Sequence, residues 1–194
     1  MIEMIASGIV DLMIRKSKIS VQESAVYQYG YELLLSSILT GIITIIVGAI
    51  FHKILASILF LGIFSGLRML CGGYHAETYF KCNCIYTAVI TVAMLFVSLI
   101  SPEYIWGFHV LFVVFSIVVT WFYAPVENES KRLNDHQRLK FRYLSMLFVV
   151  LLSTCSTYLG IISLGSMGIV VDVTLFCVAF SMFITNPRRE GEKK

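Results

Sequence analysis

Long apolar stretches separated by short polar segments dominate this 194-residue chain. A membrane-spanning helix needs roughly 20 mostly apolar residues, because it must cross about 30 Å of hydrocarbon. The segments that meet this requirement approximately are Tyr31–Ile50, Ile54–Leu70, Ile85–Ile100, Tyr104–Tyr123, Phe141–Ser163 and Met167–Thr185. None of these segments alternates apolar and polar residues as a strand does. In lipid, backbone N–H and C=O groups must be hydrogen-bonded within the protein, which long apolar helices achieve. The pattern therefore predicts an all-α integral membrane protein with six transmembrane helices.

The N-terminal segment differs from these spans because its apolar residues recur at helical spacing between charged ones. They are Ile2, Ile5, Ile9, Leu12 and Met13. This spacing predicts an amphipathic helix in the membrane interface; a helix packed against the bundle is an equal alternative. We expect one membrane domain over residues 1–194, with an amphipathic segment (1–29), a six-helix bundle (30–186) and a cytoplasmic tail (187–194).

Composition supports membrane insertion. The chain is 58% hydrophobic and 14% charged, whereas soluble domains average about 45–50% apolar and about 25% charged residues. Mean hydropathy is +0.83. These values exclude an ordinary soluble domain, and the sequence predicts membrane lipids rather than nucleic acid as its surroundings.

Basic residues predict the orientation. If the N-terminus is cytoplasmic, fourteen of the fifteen Lys and Arg residues fall inside, and only Lys53 falls outside. Positively charged loops stay in the cytoplasm. We therefore expect both termini, and the polar segment between the second and third spans, on the cytoplasmic side of the membrane.

That polar segment concentrates the reactive side chains of the chain. It runs from Arg68 through Gly72, Gly73 and His75 to Cys82. A thiol attacks as the thiolate, which a neighbouring imidazole or cation favours. Two other functions remain open for these residues: a structural or headgroup contact by the histidine, and a metal site.

The metal alternative would use four soft ligands, which are Cys71, His75, Cys82 and Cys84. Their spacing is unlike the usual zinc patterns, because no two cysteines are separated by two to four residues. The sequence accordingly predicts no metal site and no cofactor. On physical grounds alone, Cys82 and Cys84 remain equal candidates for the nucleophile.

Geometry constrains a His–Cys pair in this segment. On one straight helix, His75 and Cys82 would lie roughly 10 Å apart along the axis. A nucleophile and its base must come within about 3 Å. We therefore predict a non-helical turn made possible by Gly72 and Gly73, with Cys82 in the first turn of the third span, where the helix dipole favours a thiolate.

The segment resembles the AgrB family, the membrane peptidases of bacterial quorum sensing. The shared pattern is Arg68, then Gly72-Gly73-x-His75-Ala76, then Cys82 seven residues after the histidine. The chain length and the predicted six-span topology also agree with this family. The resemblance implies that Cys82 is the nucleophile and His75 its base, a Cys–His dyad. Arg68 and Gly73 match positions that the family needs for activity.

The resemblance also implies a substrate and an assembly. The substrate is a propeptide with an amphipathic leader and an acidic C-terminal tail, and the active form is a homodimer. The enzyme would cleave the tail through a thioester and promote closure to a thiolactone or lactone. Arg68, or backbone N–H groups near Gly72 and Gly73, would stabilise the oxyanion.

The loop after Pro125 is a second candidate region. Proline ends the fourth span because it lacks a backbone N–H, and Lys131 and Arg132 follow. These two residues are candidates for binding the acidic tail or anionic lipid; a solvated loop that only sets topology is the alternative.

A non-enzymatic peptide exporter is the main rival function, beside a membrane metal-binding protein. Exporters typically carry intramembrane charges or broken helices in paired halves. Asp172 is the lone acidic residue well inside a predicted span, and this scarcity favours the enzyme.

Overall fold

The computed structural model describes residues 2–16, 18–73, 78–126, 134–162 and 165–185. Within these ranges the chain is helical and contains no strand. The helices are α1 (Ile2–Arg15), α2 (Ser24–Ile50), α3 (Ile54–Cys71), α4 (Tyr79–Leu99), α5 (Ile105–Tyr123), α6 (Asp135–Ile161) and α7 (Gly165–Ile184). Short 3₁₀ turns, Val21–Glu23 and Pro102–Tyr104, precede α2 and α5. Six helices, α2 to α7, are long and apolar enough to cross a membrane, which confirms the predicted number of spans.

Helices α4 and α6 each begin six residues before their predicted apolar runs, because charged or polar residues occupy part of the first turn. Helix α4 begins at Tyr79 rather than Ile85, and Thr78 caps it by accepting a hydrogen bond from the Lys81 amide at 3.3 Å. Helix α6 begins at Asp135, where Asn134 and Gln137 form a capping box. A cap of this kind satisfies amide groups that an unassisted helix start leaves without partners.

Helix α7 is the centre of the bundle. In its most apolar window 61% of residues are buried, against at most 33% for any other span. It packs against α3, α4, α5 and α6, so every residue from Gly168 to Leu175 is buried. This arrangement explains why its sequence is apolar all round rather than on one face.

Helix α1 packs against α2. Ala6 and Val10 are buried in this contact, and the Tyr31 hydroxyl donates to the Met13 sulfur at 3.2 Å. The predicted amphipathic segment is therefore helical from Ile2 to Arg15; its position in the interface remains a prediction.

A row of polar contacts joins α2 to α4 inside the bundle. The Asn83 side chain accepts a hydrogen bond from Thr40 at 2.9 Å and donates to Ser36 at 3.2 Å. One turn away, the hydroxyls of Thr44 and Tyr86 lie 2.7 Å apart. Buried polar groups require partners of this kind, so the row specifies how the two helices align.

Candidate functional site

Cys82 lies where the sequence predicts it, in the first turn of α4. Its backbone N–H donates to the Thr78 carbonyl at 3.0 Å, which is the first hydrogen bond within the helix. The side chain is half-buried and the thiol is free. A thiol at this end of a helix lies in the positive part of the helix dipole.

Two glycines follow the end of α3. Gly72 caps the helix with φ +74°, and Gly73 follows with φ +134°. Both angles lie in the region that favours glycine. A Cβ on Gly72 would collide with the Val126 carbonyl, and one on Gly73 would lie 2.8 Å from the Ser181 hydroxyl. The backbone is non-helical at both glycines, which are closely packed. The rest of the predicted turn, over residues 74–77, lies outside the described ranges.

The start of the α5–α6 connection packs against this turn. Helix α5 ends at Tyr123, as Pro125 predicts, and the Ala124–Pro125 peptide bond is cis. Val126 then donates its amide to the Cys71 carbonyl at 2.9 Å. Nothing in the sequence pattern indicated this contact, because Val126 is an ordinary apolar residue outside any helix.

Arg68 lies in the last turn of α3 and is half-buried. Its guanidinium carbon is 5.7 Å from the centre of the Phe64 ring. This distance is within the range of a cation–π contact, so the guanidinium packs against a ring one turn earlier on the same helix.

The three cysteines near the site differ in exposure. Cys71 is fully buried, Cys82 is half-buried and Cys84 is exposed. Cys84 follows Cys82 by two residues on α4, which is about 200° around a helix, so the two thiols face different directions. The described residues contain no group of three or more His, Cys, Asp or Glu side chains that could hold a metal ion.

Several predicted site residues fall outside the described ranges. They are His75, Lys131 and Arg132. The proposed base and the two candidate tail-binding residues therefore remain predictions, as does the four-ligand metal alternative that includes His75. Of the described members of the site, Arg68 lies in the last turn of α3, Gly72 and Gly73 follow that helix, and Cys82 lies in the first turn of the next helix.

Asn83 is a neighbour that sequence reasoning placed only near His75. It is buried, at 6% exposure, and its amide contacts Ser36 and Thr40 of α2 together with the Tyr79 carbonyl, at 2.8 Å. These bonds hold the first turn of α4 against α2. An isolated polar residue beside a cysteine gives no sequence signal for such a role.

Comparison with known proteins places the chain in a family. A family model described as Accessory gene regulator B matches residues 6–185. The chain belongs to the AgrB family. A curated AgrB-like protein of Clostridium beijerinckii is 29% identical over 126 residues, which cover 64% of this chain. The match spans 63% of that relative's own length. No solved structure matches.

Proposed function

We propose that this chain is a membrane cysteine endopeptidase of quorum sensing, which removes the C-terminal tail of a propeptide and promotes cyclisation of the remainder. Membership of the AgrB family suggests a part in peptide processing. The observation that carries the proposal is the position of Cys82, half-buried in the first turn of α4, the helix that follows the Gly72–Gly73 turn in the chain. The proposed location is the cytoplasmic side of the cell membrane.

The proposed reaction begins with proton transfer from the Cys82 thiol to His75. The thiolate attacks the carbonyl of the peptide bond before the tail, and the protonated imidazole returns the proton to the leaving amine. The tail departs with a new N-terminus, and the remainder stays on Cys82 as a thioester. A thiol or hydroxyl of the peptide then attacks the thioester, which closes the ring and returns the thiol to Cys82.

The oxyanion needs a hydrogen-bond donor. The Gly72 amide donates to the Arg68 carbonyl at 3.0 Å, so it is occupied by the helix cap, and the backbone candidates are the amide groups from Gly73 onward. The Arg68 guanidinium is a further candidate because it has several N–H groups and a positive charge. The close packing of Gly73 on Ser181 would hold such an amide in place.

The proposed partners follow from the family and the charge distribution. An amphipathic leader would lie on the same membrane surface as α1, and an acidic tail would approach the basic end that carries Lys131 and Arg132. A homodimer is proposed on family grounds.

Trapping the acyl-enzyme tests the proposal. Purified full-length chain in lipid nanodiscs is mixed with a propeptide that has an amphipathic leader, a central cysteine and an acidic tail. We expect a hydroxylamine-sensitive adduct, located on Cys82 by mass spectrometry, and its absence from Cys82→Ala. Tail release without an adduct, or an adduct that persists in Cys82→Ala, contradicts the mechanism.

One observation favours the exporter as a second candidate. The structure pairs the intramembrane Asp172 with His109, and buried titratable pairs are frequent in transporters. Transport of a labelled peptide into sealed vesicles by Cys82→Ala would favour export, because that variant lacks the proposed nucleophile.

A further inference from the structure

An arginine on the exposed surface of the bundle joins the last turn of α5 to the second turn of α6. Nη2 of Arg142, on α6, donates to the Trp121 carbonyl, on α5, at 2.9 Å. The guanidinium carbon also lies 5.4 Å from the centre of the Trp121 ring, within the range of a cation–π contact. Both residues are exposed, so the two contacts hold a positive charge at the surface of the bundle.

The sequence explains why the Trp121 carbonyl needs a donor from another helix. In a continuing helix, this carbonyl would accept from the backbone N–H four residues later. That residue is Pro125, which has no backbone N–H. An arginine has five N–H groups in a planar fork, and only Nη2 donates to the carbonyl. Arg142 can therefore satisfy the end of α5 and also donate to a second acceptor.

The charge of this surface is positive. Helix α5 contains no Lys, Arg, Asp or Glu, and neither does the part of α6 over residues 143–161. The first two turns of α6 hold Arg138, Lys140 and Arg142, with Asp135 as their acidic residue. Among the described residues, no carboxylate forms an ion pair with Arg142. The complementary partner of this surface is therefore an anion.

An exposed apolar strip on α5 continues from Trp121. Val118 and Val114 precede it by three and seven residues, so they lie on the same helix face, and both are exposed. Helix α5 is long and apolar enough to cross a membrane, so this strip faces lipid chains. A partner that contacts both Arg142 and the strip has an anionic head and an apolar tail.

The two side chains also have the character of the headgroup level of a membrane. Tryptophan is enriched at membrane–water interfaces. Helical side chains lean toward the start of their helix, which for Arg142 is the polar end at Asp135. The guanidinium therefore reaches toward the headgroups while its methylene groups stay among apolar neighbours.

We propose that Arg142 and Trp121 bind the headgroup of an anionic phospholipid, with an acyl chain along Val118 and Val114. The lipid phosphate accepts from guanidinium N–H groups that do not bond the Trp121 carbonyl, and this planar donor set suits phosphate. A zwitterionic lipid binds less well, because its own ammonium group offsets the phosphate charge. The site is independent of the proposed peptidase activity, in which neither residue takes part.

The chain has two tryptophans, so binding can be measured at the site itself. Trp106→Phe leaves Trp121 as the one fluorescent indole, and brominated acyl chains quench an indole that they contact. The full chain is placed in nanodiscs of equal parts phosphatidylglycerol and phosphatidylcholine, with bromine on one lipid or the other. At about 150 mM salt, which screens remote charges, we expect quenching that corresponds to an about fivefold preference for phosphatidylglycerol.

Trp106, at the start of α5, supplies the matched control. It is exposed, and the nearest charged residue in the sequence is the acidic Glu103. In Trp121→Phe, where Trp106 alone reports, we expect no preference for the anionic lipid. If the preference at Trp121 is no greater than at Trp106, the proposal is wrong, and this comparison requires no change to Arg142.

Two substitutions that remove the same charge separate lipid binding from a purely structural role of Arg142. Arg142→Gln keeps a donor for the Trp121 carbonyl and should lose most of the preference. Lys140→Gln changes a residue about 200° around α6 and should keep most of it. An unchanged preference in Arg142→Gln would mean that the arginine only satisfies the end of α5, and would overturn the proposal.

An acidic peptide is the alternative occupant of this positive surface. It is tested by adding a peptide with an acidic tail to phosphatidylcholine nanodiscs that hold the Trp106→Phe chain. Equal quenching by the two brominated lipids, together with a change in Trp121 fluorescence that needs both the peptide and Arg142, would assign the surface to a peptide and overturn the lipid site.

Discussion

The Val126 amide donates a hydrogen bond of 2.9 Å to the Cys71 carbonyl. This bond joins the chain after α5 to the last residue of α3. It satisfies one of the carbonyl groups that a helix end leaves without an intrahelical partner. The Gly72–Gly73 turn is therefore held from outside the segment as well as by its own backbone.

Gly72→Ala should damage this junction. The new methyl group would collide with the Val126 carbonyl and would sit at a φ of +74°. Overpacking and a left-handed residue each cost about 1–3 kcal/mol. We expect propeptide cleavage by purified enzyme to decrease at least about tenfold. A Cβ at Gly66, on α3, would meet nothing within 4 Å, so Gly66→Ala should retain activity. An equal loss of activity in both variants would show that the contact between Gly72 and Val126 is not the cause.

The two cysteines of α4 should behave differently. Cys82→Ala should lower the rate of tail cleavage at least about 1,000-fold, as removal of a nucleophile does. Cys84→Ala should retain substantial activity, because Cys84 is exposed on another side of the helix. Cleavage assays with equal amounts of membrane-inserted protein measure both. Complete loss on changing Cys84 alone would transfer the role of nucleophile to that residue.

Asn83 should position the first turn of α4 through its contacts with α2. Asn83→Leu would leave the Thr40 and Ser36 hydroxyls without this partner, at a cost of about 1–3 kcal/mol. Thermal unfolding and the rate of Cys82 alkylation should both change. In a double-mutant cycle with Thr40→Val we expect a coupling of about 0.5 kcal/mol or more. If the changes in unfolding free energy of the two single variants add strictly in the double variant, the contact between Asn83 and Thr40 contributes no stability.

Gly168 should be required for the approach of α6 to α7. A Cβ there would lie 2.9 Å from the Ser156 carbonyl, which cannot move without displacing α6. Gly168→Ala should lower stability by about 1–3 kcal/mol, measured by thermal unfolding. Gly62→Ala is the matched control, since nothing lies within 4 Å of that position; it should be neutral or slightly stabilising. A Gly168→Ala protein that unfolds at the same temperature as the unmodified chain would contradict this close packing of α6 and α7.

The spans were predictable because each depends on a local property, the length of an apolar run. The first residues of the helices were harder to predict, since the first turn of α4, from Tyr79, depends on the Thr78 cap. The Gly72–Gly73 turn was also readable, because paired glycines after a helix indicate a change of backbone direction. These features involve neighbours in the sequence.

The contacts that sequence reasoning missed join distant residues. Val126 meets Cys71, Asn83 meets Thr40, and His109 meets Asp172 only after the helices pack. Asp172 was noted as an isolated acid inside a span, but its partner was not identified because His109 lies on another helix. A single sequence contains no direct signal for such pairs.

The row of hydroxyl and amide contacts between α2 and α4 has a consequence for where chemistry takes place. Sliding α4 by one turn, about 5.4 Å, would separate Asn83 from Thr40 and Tyr86 from Thr44. In hydrocarbon, each abandoned group would have no water to replace its partner. The position of Cys82 along the axis of the bundle is thus set by α2, a helix that contributes no residue to the proposed reaction.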